Sequence, residues 1–337
     1  MPAFEDIIAA LKGGQAQPDA MPFGVGGPAE PVHEATNIIN PVVGHVAQSV
    51  ANVPKHLIDQ ATQFDPTDIR GSTERVVPAA TDTVMALMGR GIAAPKAGLG
   101  AFGGTMAKTA DLRQLDAAMT RSARGANPDQ TRMMTGWEQN PIDQKWRFEI
   151  PDNKMAMKFM PQKLGDKATG SIDSLVSHPE LMKAYPDLKG LRLDLTKTKP
   201  GIEEGGYYPP RGKVPPRFEA DAPNYAGGRS VMGHELQHGI QNIEGFSPGG
   251  MPEQFIPHFE KIMRQSDAPY DHAHLTDLAH QSYHNIAGEV EARNVQKRLD
   301  FSPLRRLTEP PVMTQDVPFH EQYDVNKMIE LLKSRNK

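Results

Sequence analysis

The chain has 337 residues, and its 30 Gly and 30 Pro make up about 18% of it, against roughly 12% in an ordinary globular protein. This is loop-rich without being disordered, and the length predicts two domains, with 38% hydrophobic residues to fill one real core. With 37 Lys+Arg against 41 Asp+Glu the formal charge is -4, so no specific nucleic-acid partner is expected, and the absence of cysteine excludes disulfide scaffolds, Cys-ligated zinc and thiol nucleophiles.

Residues 1–75 carry four Lys/Arg and nine Asp/Glu and read as an acidic, loop-rich arm, with short helical patches at Ile7, Ile8 and Leu11 and from Ile38 to Ile58. The N-terminus has no basic n-region and no stretch reaches about 18 apolar residues, so neither a secretory signal nor a transmembrane helix is expected. Residues 76–130 form an Ala/Gly/Met-rich connector, and its stretch 76–104 is a candidate for transient membrane contact. A helix is predicted over Thr109–Arg124, with Leu112, Leu115 and Met119 on one stripe.

From residue 131 the texture is that of a compact α+β domain, taken to run to 305. Trp146, Phe148 and Ile150 alternate with Arg147 and Glu149, and Met155, Met157 and Phe159 alternate on the return, which predicts a β-hairpin over 145–160 with its turn at Pro151-Asp152-Asn153. Pro179 opens a short helix, GLRLDL is a strand, and Thr196–Asn224 reads as loop. Two longer helices are predicted over Ser230–Glu244 and Gln281–Leu299, followed by a tail, 306–337, that ends in an amphipathic helix with Val325, Met328, Ile329 and Leu332 on one side.

The chemistry lies in HELQH, His234 to His238. On a helix, residues four apart share a face, so both imidazoles can reach one ion at about 2.0–2.1 Å. Glu235 is rotated by about 100° and sits beside them, the place for a general base acting on a coordinated water. Chance gives about 0.02 such motifs in a chain of this composition. A hydrolytic Zn2+ site takes a third protein ligand, and Glu289 in GEVEAR is the first choice, with Glu291 and Glu244 as the alternatives. Histidines 258, 272, 274, 280 and 284 are weaker candidates. Transition-state donors are sought among Tyr207, Tyr208, Tyr283 and Arg293, of which Tyr283 and Arg293 are preferred as catalytic residues beside Glu235.

Glu289 followed by Ala292 resembles the E-x-x-A pattern of gluzincin peptidases, whereas Gln241 stands where the metzincin pattern needs glycine, which disfavours Glu244. Gly136–Asp152, Ser177–Leu188, Gly233–Gly250 and Ala287–Arg298 together resemble a zincin-like domain of large polyvalent proteins of bacteriophages and prophages, over about residues 130–305. That resemblance implies a zincin-like metallopeptidase fold, with a small antiparallel sheet, an HExxH helix and a glutamate helix. It carries over His234, Glu235, His238 and one acid of GEVEAR, but no substrate. The expectation is a phage-encoded zinc metallohydrolase acting on a peptide or a peptidoglycan cross-bridge, located in the virion or the host bacterial cytoplasm. The alternative is a virion structural or ejection protein whose domain binds metal or other virion proteins without turnover.

Overall fold

The computed structural model describes residues 100–265, 271–302, 305–306 and 309–334. The acidic arm, its helical patches and residues 76–99 of the connector lie outside them. No helix among the described residues is long and apolar enough to cross a membrane.

A mixed four-stranded sheet organises the domain. Its strands are β5 (Lys167–Ser171), β7 (Arg192–Lys197), β8 (Glu204–Tyr208) and β9 (Arg217–Ala222), in the order β5-β7-β9-β8, with β7 and β9 parallel and the outer pairs antiparallel. Alternation puts Leu193, Leu195, Phe218, Ala220 and Ala222 on the buried face. The helix α5 (Tyr225–Glu244) packs across β8 and β9, and bare Gly239 lets it lie on the Phe218 ring. Two strands therefore occupy the segment read as loop between Thr196 and Asn224. Alanine at the inward positions of β9 and glycine in β8 weakened the strand signal there.

The predicted hairpin over 145–160 does not form. Strand β3 (Trp146–Glu149) pairs instead with β1 (Phe102–Gly103) and β2 (Trp137–Gln139), while β4 (Ala156–Met157) pairs with β6 (Val176–Ser177). The intended turn is an anchor: Asp152 is buried, packs on Gly100 and is ion-paired with Arg306. Residues 102–103, read as part of a flexible connector, are thus a strand in a sheet. Helix α1 (Leu112–Ala123) starts at its Asp111 cap and buries Leu115 and Ala118, whereas Leu112 and Met119 are exposed. It covers a small cluster with Trp137, whose ring lies 4.8 Å from that of Phe148. Helix α2 (Pro128–Thr135), between them in sequence, starts at an Asn127 cap and ends at left-handed Gly136.

Helix α5 begins five residues earlier than its apolar stripe suggested, because Asn224 caps the amide of Gly227. It stops where expected, at left-handed Gly245. The second predicted helix is two. Helix α7 (His272–His284) and helix α8 (Ala287–Arg298) are separated at Asn285–Ile286, where Ile286 lies opposite Tyr323 in a short parallel bridge: the Tyr323 amide donates to the Asn285 carbonyl and the Ala287 amide to the Tyr323 carbonyl. Short helices α3 (Ile172–Leu175) and α4 (Pro179–Ala184) join the strands, α6 (Ile256–Gln265) precedes α7, and α9 (Pro311–Thr314) and α10 (Val325–Ser334) follow α8. In α10, Val325 and Met328 are buried as expected.

Helix α4 supplies a test of the core. Its cap is the buried His178, whose ring Nδ1 accepts the Leu181 amide hydrogen and must therefore be neutral. Burial, reinforced by nearby Arg229, lowers its pKa from 6.5 to about 4. A depressed histidine pKa stabilises the fold in full above about 6.5, and that contribution is lost as the pH falls toward about 4. Urea denaturation across this range should show falling stability, of the order of 3 kcal/mol in all. His178→Asn, which keeps a capping acceptor, should flatten the slope; an unchanged slope contradicts a buried neutral imidazole.

Candidate metal centre

Helix α5 presents His234 and His238 one turn apart, with their Nε2 atoms 3.0 Å from each other. Helix α8 crosses behind and brings in Glu289, whose Oε2 lies 3.3 Å from His234 Nε2 and whose Oε1 lies 3.4 Å from His238 Nε2. The three side chains offer ligand atoms that all lie within 4.8 Å of one another. They form the one group of this kind, with three or more His or carboxylate residues, among the described residues.

Hydrogen bonding decides which lone pairs point inward. His238 Nδ1 lies 2.8 Å from Gln241 Oε1, and His234 Nδ1 lies 3.0 Å from Gln296 Oε1. Amide oxygens only accept, so His238 Nδ1 carries the proton and, with the Gln296 amide in this orientation, so does His234 Nδ1, which leaves each Nε2 a lone pair toward the other and Glu289. Two imidazole lone pairs and a buried carboxylate around one point require a cation. In the metal-free protein a proton takes that part: burial opposes a charged His238, but the Glu289 carboxylate prevails and lifts its pKa to about 9. Glu289 responds in the opposite sense; burial alone would raise it, and His238 with His234 holds it well below the usual carboxylate range. Atoms of this kind are also the ones that would hold a divalent ion.

The surroundings orient Glu289 further. Its Oε1 accepts the Gly250 amide at 2.9 Å and its Oε2 accepts the Tyr283 hydroxyl at 2.8 Å. Burial and the neighbouring carboxylate push the Tyr283 pKa upward, keeping the phenol protonated as a donor. Gly249 lies against both ligands, since a Cβ there would come within 2.3 Å of Glu289 Oε1 and 2.4 Å of His238 Cε1. Glu235 is buried beside the pair. Burial raises its pKa, partly offset by the two histidines.

His234, Glu235, His238, Glu289 and Tyr283 are thus brought together. Arg293 is not: its Nε meets Asp316 at 2.6 Å and its other nitrogen the His284 carbonyl at 2.6 Å. Glu291 is no third ligand, because it points to the far side of α8, where it pairs with buried Arg147. Arg298, further along α8, takes Glu149 instead. Glu244 is occupied at the helix end by the Tyr185 hydroxyl and the amides of Gly104 and Met106. Tyr207 packs on Phe218, and Tyr208 donates to Glu219 under the Arg217 guanidinium. Histidines 272, 274, 280 and 284 are exposed on α7. Gln241, Gln296 and the Gly249–Gly250 turn were missed, and only the i+3 spacing of Gln241 from His238 could have flagged one of them.

Residues 100–158 match the family described as Large polyvalent protein associated domain 23. That segment holds β1 to β4 and none of the candidate ligands, but it supplies the Arg147 that pairs with Glu291. The chain matches no curated protein and no solved structure.

Gly249→Ala should weaken zinc affinity by about 10–100-fold, the scale of lost ligand orientation, while the metal-free fold survives. Chelator competition with circular dichroism on the same samples checks this; wild-type affinity would show that the turn does not press on the ligands.

Proposed function

We propose that this chain is a zinc-dependent hydrolase that cleaves an amide bond in an extended peptide, with His234, His238 and Glu289 as the metal ligands and Glu235 as the general base. The observation that carries the reading is the convergence of two Nε2 lone pairs and one buried carboxylate on a single point. Two imidazoles and one carboxylate are the donor set of a catalytic zinc site that keeps a position open. Bound there, zinc supplies a Lewis acid that lowers the pKa of a coordinated water to about 7.

The rest of the mechanism belongs to the chain. Glu235 takes the proton from the attacking water and passes it to the departing amine nitrogen, and its raised proton affinity suits both transfers. Its carboxylate lies against Gly205 of β8, the edge strand that pairs on its other side with β9. An exposed strand edge offers backbone donors and acceptors to an extended peptide. Gly205 faces Glu235, where a side chain would collide with the carboxylate. Tyr283 keeps Glu289 in place and so acts here through the ligand.

The match to a domain associated with large polyvalent proteins, together with the resemblance of the HELQH and GEVEAR segments, supports a phage setting, in the virion or the host cytoplasm. The same match favours a second reading, a virion structural or ejection protein that holds metal without turnover.

Metal content of untagged protein, by mass spectrometry, tests the first step. About one zinc per chain is expected for the wild type and its loss in His234→Ala and Glu289→Ala. Glu235→Gln should keep the zinc and the fold but lower peptide cleavage by about 10²–10⁴-fold. Wild-type protein that takes up no zinc when incubated with it overturns the hydrolase; zinc without cleavage of any peptide or cross-bridge substrate supports the second reading.

A further inference from the structure

We infer that Gln241 is a positioning residue for the ion site, and that with Glu291 and Arg147 it forms a directional hydrogen-bond relay that fixes which ring nitrogen His238 offers to a metal. This rests on the metal reading above and adds what presets the ligand.

Each link has its direction set by chemistry. Arg147 is a donor only, and its Nε meets Glu291 Oε2 in a buried ion pair. The other oxygen, Oε1, accepts from Gln237 Nε2 at 2.8 Å and from Gln241 Nε2 at 3.1 Å. Gln241 Nε2 also donates to the Gly288 carbonyl, 2.9 Å away. With two acceptors on that side, an inverted amide would set oxygen against oxygen twice. The amide nitrogen must therefore face Glu291 and Gly288, and its oxygen must face His238. At 2.8 Å that oxygen requires a proton on His238 Nδ1, which leaves the Nε2 lone pair toward Glu289 and His234.

His234 is held less strictly. Its partner Gln296 donates to Ser230 Oγ at 3.2 Å, and a hydroxyl can donate or accept, so the neighbours do not fix that amide. Gln241 is also the more deeply buried of the two, at 1% exposure. His238 is the preset ligand and His234 the adjustable one.

Two measurements test the relay. In the zinc-loaded wild type, long-range proton–nitrogen correlation on the histidine rings should show His238 with a slowly exchanging Nδ1 proton and a metal-bound Nε2; coordination through Nδ1 would overturn the relay without any variant having to fold. Chelator competition should then show zinc bound about tenfold or more weakly by Gln241→Leu, and less affected by Gln296→Leu. Gln241→Glu separates the relay from simple acceptance: a carboxylate still accepts from His238 but brings no donor to Glu291 and Gly288, so zinc affinity should fall here too. Wild-type affinity in Gln241→Leu or Gln241→Glu sinks the relay while leaving the metal reading intact, whereas a wild type that binds no zinc removes the metal reading itself.

Discussion

Helix α8 carries two buried acids only two residues apart, and the need to neutralise both shapes the domain around it. Residues two apart on a helix point about 200° away from each other, so one partner cannot serve both. Glu289 faces the two histidines of α5, and Glu291 faces Arg147 of β3. An uncompensated buried carboxylate costs several kcal/mol, so α5, α8 and the small sheet are tied into one arrangement. Gly288 allows it sterically, because its Cα lies against the Pro248–Gly249 backbone and a Cβ there would meet the Pro248 carbonyl.

A second set of buried charges closes the other end of α8. Arg298 and Arg306 grip the two oxygens of Glu149, and Arg306 reaches on to Asp152. Such a network is weak evidence of net stability, since desolvation offsets much of the attraction, but it specifies one arrangement of its parts. Every member must find its partner at once, which ties the segment after α8 to the turn after β3.

The sequence made the site more legible than the sheet. HELQH declares itself because a helix forces i and i+4 onto one face, and the E-x-x-A resemblance of GEVEAR points to Glu289. The β-structure was harder to read, because alternation presumes one wet face. Arg147 was read as solvent-facing, yet it is buried, since a carboxylate from a helix more than 140 residues later comes to meet it. The hairpin failed for the same reason: Asp152 looked like a turn residue, and its partner Arg306 is equally distant in sequence. Long-range charge pairing leaves no local periodicity. The glutamines were invisible in another way, because Gln241 on a helix reads as surface until its acceptors appear.

The family-matched stretch does not stand apart from the helices that bear the candidate ligands. Residues 100–158 give Arg147 to Glu291, the amides of Gly104 and Met106 to Glu244, and the Phe102 peptide group to Gln237. A recombination breakpoint at residue 158 would hand its recipient an Arg147 that keeps Asp143 but has lost Glu291, and leave behind a helix whose acid has lost its cation. The unit that keeps these buried charges paired is therefore the longer one, reaching from the first strand through Arg306.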